Sequence, residues 1–196
     1  MLGNRQPDDS GGERIIVAKG RAWWNMTAMR ESYSLLLDKD YFKFSCAHFL
    51  IFPDGAKERL HGHNYHVVCL LDASLVERTG LVLDFLEIKP VIRALCDVLD
   101  ERMLLPSEHP GLSYAPSVDG HIDWSYADCH YRAPEDEVLV LPINNTSVEN
   151  LSRWFAHELW RRLLASFPSL DLNRLEVTVS ETPGQAAVYR IERDSN

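Results

Sequence analysis

The segment 60–71, LHGHNYHVVCLL, alternates in a way that constrains the fold more than any other feature of the chain. Successive side chains of a β-strand point to opposite faces of a sheet. A strand here therefore places one set of residues on a single face: His61, His63, Tyr65 and Val67. The preceding apolar segment ends in Phe44, Cys46 and His48, which share a strand face in the same way.

A turn at residues 53–55 (Pro-Asp-Gly) separates these two strands, so we predict that they pair as a hairpin. In that hairpin His48 faces His61 and His63, and three imidazoles converge. Neutral imidazole suits zinc, and three protein ligands with an open fourth position are typical of catalytic zinc sites. The small Gly62 would permit close backbone approach. An HxH pattern alone is weak evidence, because a single histidine is more often a surface or hydrogen-bonded core residue.

A helix is predicted after the hairpin, because apolar residues recur there at helical spacing from Ile88 onward. Asp84 and Glu87 could form a capping box at its start. Pro90 would then lie too deep for an undistorted first turn, so we predict that the helix begins nearer Ile88.

A second helix is predicted to follow the capping box at 146–149 (TSVE), with Thr146 as its N-cap. Further short strands are predicted at residues 137–143, 175–180 and 186–191. Residues 106–136 contain four prolines with several Gly, Ser and Asp, and they are predicted to form a long loop insertion. The order ββ, α, α, ββ predicts an α+β fold in which an antiparallel four-stranded sheet carries two helices on one face.

Length and composition set broader limits. The 196 residues suit a single domain, predicted over residues 34–196, after a polar and partly disordered N-terminal extension at 1–33. A net charge of −9 offers no basic surface for nucleic acid, and no apolar run is long enough to span a membrane. The N-terminus lacks the apolar stretch of a signal peptide, and the four cysteines are widely spaced. We therefore expect a cytoplasmic protein with reduced thiols.

Five motifs occur in order along the chain: FSCAH (44–48), LHGHNY (60–65), VLDF (82–85), NTSVENL (145–151) and SET (180–182). Over roughly residues 34–191 the chain thereby resembles the 6-pyruvoyl-tetrahydropterin synthase family, which also contains the 6-carboxytetrahydropterin synthases. The resemblance implies the tunnelling fold, in which trimers close into a barrel and commonly pair into a hexamer. It also implies a homo-oligomer with active sites between subunits, and zinc held by His48, His61 and His63.

The same resemblance assigns two residues to substrate binding. Glu181 would anchor the pterin ring through its exocyclic amine and adjacent N–H, since a carboxylate accepts two parallel hydrogen bonds. Without the family match, a solvated glutamate at a strand end is the simpler interpretation. Thr146 would line the pterin pocket, in addition to capping the second helix.

The candidate catalytic residues depart from the usual family pattern. Lys57 stands where family enzymes carry a cysteine that acts as a base or proton relay, and Asp100-Glu101 replace an Asp-His pair. Some members instead carry a glutamate three residues before HGH, and Glu58 fits this ExxHGH spacing. We therefore predict catalytic roles for Glu58, Asp100 and Glu101. Cys46, on the inner face of its strand, is an alternative relay.

The resemblance implies a zinc enzyme that cleaves a carbon–carbon or carbon–oxygen bond in the side chain of a reduced pterin, dihydroneopterin or its triphosphate. Glu58 would accept the proton, although a solvated charge in a turn is the competing interpretation of this residue. A second class of function stays open. The chain could be a zinc-containing pterin or purine binding protein that retains Glu181 but has lost turnover.

Overall fold

The computed structural model describes residues 32–74 and 79–194, so the extension predicted over 1–33 lies outside the described residues up to position 31. The strands follow one another as β1 (Tyr33–His48), β2 (His61–Ala73), β3 (Arg102–Pro106), β4 (Leu112–Val118), β5 (His121–Tyr126), β6 (Cys129–Pro134), β7 (Val138–Leu141), β8 (Leu172–Thr182) and β9 (Gln185–Glu192). The α-helices are α1 (Phe85–Leu99) and α2 (Val148–Ser166).

The predicted hairpin is confirmed, since β1 and β2 pair antiparallel with His48 opposite His61. The alternation of faces also agrees with the prediction. Phe44 on β1 and Tyr65 on β2 are fully buried, and their rings stack with centroids 4.9 Å apart. Burial of these two aromatic side chains stabilises the register that brings the histidines together.

The main sheet is mixed and has six strands, so the prediction of four antiparallel strands is wrong. Its order is β7-β3-β1-β2-β8-β9. β2, β8 and β9 are antiparallel neighbours, whereas β3 runs parallel to β1 and β7 runs parallel to β3. The sequence pattern does not predict β3, because its apolar residues directly follow α1 and extend the apolar pattern of that helix. β7 is the short strand predicted at 137–143.

α1 begins at Phe85, three residues before the predicted start near Ile88. Its N-cap is Asp84, whose side chain accepts a hydrogen bond from the Leu86 N–H at 2.8 Å. Pro90 lies inside the helix but is exposed, so water can replace the backbone hydrogen bond that proline lacks. The proline therefore does not exclude the first turn.

α2 is capped by Ser147, not by Thr146 as predicted. The Ser147 hydroxyl accepts a hydrogen bond from the Asn150 N–H at 3.4 Å. α1 packs on β1, α2 packs on β8 and β9, and the helices contact each other, which places both on one face of the sheet. Among the described residues, no helix is both long and apolar enough to cross a membrane.

The segment predicted as a loop at 106–136 instead contains a second sheet, in which β4, β5 and β6 pair antiparallel. A two-residue turn joins β4 to β5, and both of its residues have positive φ, 56° at Asp119 and 71° at Gly120. This Asp-Gly pair is the usual sequence signal for a tight hairpin, and it outweighs the prolines that favoured a loop.

Two hydrophobic clusters stabilise the two sheets. The larger lies between the main sheet and the helices and includes Phe155 and Leu95. The smaller joins the second sheet to the main sheet, and its buried members are Phe49, Ile51, Met103, Leu105, Leu112, Trp124, Tyr126 and Val138. The second sheet is thus held against the chain that follows β1.

We predict that Leu95→Ala lowers the free energy of unfolding by about 2–5 kcal/mol, because it leaves a cavity between α1 and the main sheet. Leu86→Ala is the matched control, since Leu86 lies in the same helix but is 73% exposed, and its effect should stay within roughly 0.5 kcal/mol. Urea unfolding of both variants measures the difference. Equal losses would contradict the packing of α1.

Candidate metal centre and active site

The three predicted histidines converge. The ring centroids of His48 and His61 lie 4.7 Å apart, those of His61 and His63 4.7 Å, and those of His48 and His63 5.4 Å. The close approach of the strands depends on Gly62, because a Cβ there would lie 3.0 Å from the Cys46 carbonyl oxygen. The predicted cluster of imidazoles is thus present in the described chain.

Backbone carbonyls fix the orientation of two of these rings. His48 Nδ1 donates to the Thr146 carbonyl at 3.1 Å, and His61 Nδ1 donates to the Arg59 carbonyl at 2.8 Å. A carbonyl oxygen can only accept, so the lone pair of each neutral ring resides on Nε2. A histidine that ligates a metal is commonly held in this way through its other nitrogen.

Glu181 completes the group. Its Oε1 lies 3.2 Å from His63 Nε2 and 3.5 Å from His48 Nε2, and it accepts a hydrogen bond from the Tyr65 hydroxyl at 3.3 Å. One ligand atom from each histidine and one carboxylate oxygen all lie within 4.8 Å of one another. Imidazole nitrogen with a single carboxylate is a donor set that suits a divalent transition metal. These four side chains could therefore hold a metal ion.

The electrostatics favour neutral imidazole at the centre of the group. His48 is 1% exposed, and its burial, followed by the nearby His61, lowers the pKa of its imidazole below the usual value. Burial raises the pKa of the Tyr65 phenol, with further increases from the thiol of Cys46 and the carboxylate of Glu181. Tyr65 therefore stays protonated, and its hydroxyl donates a hydrogen bond to Glu181. The sequence pattern predicts that Tyr65 lies on the same strand face as the histidines, but it predicts no functional role for this residue.

Glu58 lies beside the histidine group, as its spacing predicts. Its Oε2 is 3.8 Å from His61 Nε2 and accepts a hydrogen bond from the Leu50 N–H at 3.2 Å. Lys57 points elsewhere, because its Nζ lies 5.0 Å from the centre of the Phe49 ring. Of these two adjacent residues, only Glu58 has a side chain that faces the histidines.

Asp100 and Glu101 occupy different environments. The Asp100 carboxylate accepts hydrogen bonds from the Ser45 N–H at 2.7 Å and from Arg93 at 3.4 Å. Glu101 has a φ of +56°, and its N–H donates to the Ser45 carbonyl at 2.7 Å. Only Glu101 borders the pocket described below. The structure thus uses Asp100 to tie the end of α1 to β1.

Thr146 lies behind His48 and is fully buried. Its hydroxyl donates to the Phe49 carbonyl at 2.9 Å, while its own carbonyl accepts the His48 Nδ1–H. Its backbone carbonyl therefore orients a histidine, while its side chain binds the backbone of Phe49; contact of Thr146 with the substrate stays a prediction. The sequence signal is ambiguous, because the same NTSVE motif lies at a helix start and at the histidine site.

A pocket of about 780 Å³ opens beside the histidine group. Residues with functional chemistry on its wall are Cys46, His63, Asn64, Glu101, Arg102, Glu137 and Glu181. The Cys46 thiol is 5% exposed, and burial, reinforced by Glu181 and Asp100, raises its pKa to about 12. It therefore stays protonated at neutral pH. The sequence pattern does not single out Arg102, at the start of β3, or Glu137, just before β7, because neither belongs to a motif.

Known proteins match both the sequence and the fold. A family model described as 6-pyruvoyl tetrahydropterin synthase matches residues 37–192. The chain belongs to this family. A Methanocaldococcus jannaschii protein assigned as a 6-carboxy-5,6,7,8-tetrahydropterin synthase is 33% identical over 148 residues, which cover 76% of this chain and 89% of that protein.

Solved structures of family members agree with this assignment. The 6-pyruvoyl tetrahydropterin synthase of Plasmodium vivax is 31% identical with a TM-score of 0.77, over 84% of this chain and 100% of that one. The Plasmodium falciparum enzyme is 28% identical with a TM-score of 0.73 over the same shares. In two further Plasmodium vivax structures, a glutamate identified as a catalytic residue is replaced by alanine or by cysteine.

We predict that the purified protein binds about one metal ion per chain and that His63→Ala removes most of it, since the group loses one of three imidazole ligands. His66→Ala is the matched control, because His66 lies on the other face of β2 and pairs with Asp38 at 2.7 Å. Elemental analysis after gel filtration measures both variants. Full metal content in His63→Ala would show that the metal centre is assigned to the wrong residues.

Proposed function

We propose that this chain is a zinc-dependent lyase that acts on the side chain of a reduced pterin, dihydroneopterin or its triphosphate. The observation that carries the proposal is the convergence of three imidazoles in a member of a pterin-synthase family. Beside them, Glu58 Oε2 lies 3.8 Å from His61 Nε2. Zinc is proposed as the metal because three neutral imidazoles are typical ligands of catalytic zinc sites. In this proposal Glu181 binds the pterin and not the metal, which leaves the fourth position open. When bound, zinc would polarise the oxygen atoms of the substrate side chain.

The protein's own residues divide the remaining work. Glu181 borders the pocket and would accept hydrogen bonds from the exocyclic amine and adjacent N–H of the pterin ring. Tyr65 holds one oxygen of that carboxylate, which orients it. Glu101 would add negative charge to the pocket wall, and Asp100 would act by holding the backbone of β1. The role of Glu181 is the one that the family resemblance implies, and its place on the pocket wall supports it.

Glu58 is the proposed base. Its side chain is about one-third exposed, so it can exchange its proton with solvent after each turnover. The competing candidate, Cys46, is held as a thiol by its raised pKa and would surrender its proton only well above neutral pH. The Plasmodium vivax enzyme also has a glutamate identified as a catalytic residue, which supports a catalytic role for a glutamate here.

We predict that Glu58→Gln lowers turnover of a dihydroneopterin substrate by roughly two to four orders of magnitude, because glutamine keeps the shape but cannot accept the proton. Zinc content should not change. Cys46→Ala is the comparison variant and should stay within about tenfold of the native rate, with a stability loss of about 1 kcal/mol from the small cavity. Steady-state rates at matched zinc occupancy measure both.

Two outcomes would contradict this assignment in different ways. If Cys46→Ala is inactive while Glu58→Gln is active, the thiol carries the proton and the two roles are reversed. If the native protein binds a reduced pterin but converts neither dihydroneopterin nor its triphosphate, as followed by product mass, the chain is a binding protein without turnover.

The proposed active form is a trimer or a dimer of trimers. The main sheet ends at β7 and β9, and these edge strands carry exposed apolar side chains, Val140 (37% exposed) and Val188 (60% exposed). The unpaired backbone N–H and C=O groups of exposed edge strands favour pairing with another chain. Closure of several chains into a barrel would pair these groups.

We predict that light scattering at micromolar concentration gives a particle three or six times the mass of the 22.4 kDa chain. Val188→Arg or Val188→Lys should increase the fraction of monomer, because a charge would lie in the proposed contact between edge strands. A stable monomer of the native protein would exclude an active site shared between subunits.

A further inference from the structure

The loop between β1 and β2 presents adjacent residues to opposite sides. An isolated bridge pairs Ile51 with Lys57 in antiparallel fashion, and the Glu58 N–H donates to the Leu50 carbonyl at 2.9 Å. Side chains alternate along such a paired segment. Glu58 consequently faces the histidines, while Lys57 faces the second sheet.

Lys57 lies against a stack of aromatic rings. Its Nζ is 5.0 Å from the centre of the Phe49 ring and 5.5 Å from that of Tyr131. The Phe49 and Tyr131 rings are 6.0 Å apart with an interplanar angle of 19°, and Trp124 stacks on Tyr131 at 5.3 Å and 8°. Both distances to Nζ lie within the range of cation–π attraction. This set, Phe49, Tyr131 and Trp124, is called the aromatic stack below.

The same lysine reaches back to its neighbour. Lys57 Nζ donates to the Glu58 carbonyl oxygen at 3.0 Å. A single ammonium group therefore contacts both the aromatic stack and the peptide that carries the Glu58 side chain. Glu58 Oε2 also accepts a hydrogen bond from the Leu50 N–H. Glu58 is thus held at two points: Lys57 binds its backbone carbonyl, and Leu50 binds its carboxylate.

The second sheet holds this loop at another point. The Tyr126 hydroxyl donates to the Gly55 carbonyl at 2.9 Å, at the turn where Gly55 has a φ of +83°. Tyr126 and Tyr131 belong to β5 and β6. Two neighbouring strands of one sheet thus fix the turn and the residue next to Glu58.

We propose that Lys57, held by the aromatic stack, is a positioning residue that places the Glu58 carboxylate beside His61. The inference rests on the proposed function, in which Glu58 is the base. A base must lie within hydrogen-bond reach of the proton it accepts, and a displacement of about 1 Å can cost on the order of 100-fold in rate. The lysine at the position where the resemblance predicts a cysteine therefore acts through its neighbour and not on the substrate.

Four variants test this at matched zinc content. Lys57→Met keeps the length of the side chain without its charge and should lower kcat by roughly 10- to 100-fold while KM changes by less than about threefold. Lys57→Arg retains a cation over the rings and should restore kcat to within about threefold. Tyr131→Leu should resemble Lys57→Met. Lys39→Met, at an exposed position on β1, controls for the loss of a lysine and should match the native protein.

A double variant separates positioning from a direct role. If Lys57 acts through Glu58, adding Lys57→Met to Glu58→Gln should lower kcat by less than about threefold further, because the positioned group is already lost. A further loss as large as the one that Lys57→Met causes in the native background would overturn the proposal. So would native kcat in Lys57→Met.

Hydrogen–deuterium exchange keeps the test independent of the proposed function. Lys57→Met should speed exchange of amides in residues 50–58 by about tenfold or more, while residues 61–73 of β2 exchange as in the native protein. If the native protein shows no turnover, the proposed function fails but this result still decides the role of Lys57. Unchanged exchange in residues 50–58 would overturn it.

Discussion

The register between β1 and β2 is the constraint on which the rest of the molecule depends. Because side chains alternate along a strand, a shift of β1 by one residue would turn His48 away from His61 and move Phe44 out of the core. Burial of apolar surface therefore selects the same pairing that gathers the imidazoles. Gly62 also favours this register, since a Cβ at that position would lie 3.0 Å from the Cys46 carbonyl oxygen and the strands would have to move apart slightly.

The histidine group combines parts of the chain that are far apart in sequence. The carbonyl of Thr146 holds the ring of His48, and the carboxylate of Glu181 closes the group from β8. Desolvation disfavours the charged imidazole, so the fold keeps His48 in the neutral form that a metal requires. Stability and ligand chemistry act in the same direction here, because a proton on the buried ring would oppose both.

Sequence pattern predicted those features that depend on local alternation, and it failed where distant segments meet. The strand faces of His48, His61 and His63 follow from parity alone, and the structure confirms them. The sequence pattern did not predict β3, because β3 continues the apolar run of α1. It also did not predict the second sheet, because the prolines in that segment favoured a loop over the Asp-Gly turn. The side-chain position of Thr146 also depends on packing between segments that no single window of sequence contains.

The histidine group and the smaller hydrophobic cluster adjoin each other along the chain, so that neighbouring residues belong to one or the other at two places. His48 belongs to the histidine group, whereas the next residue, Phe49, belongs to the smaller cluster. In the same way, Lys57 contacts the aromatic stack, whereas the next residue, Glu58, lies beside the histidines. Thr146 joins the two sides again, because its carbonyl binds the His48 ring and its hydroxyl binds the Phe49 carbonyl. Since protein interiors are close-packed, we expect a change in the packing of the second sheet to displace the imidazoles and the Glu58 carboxylate through these short connections.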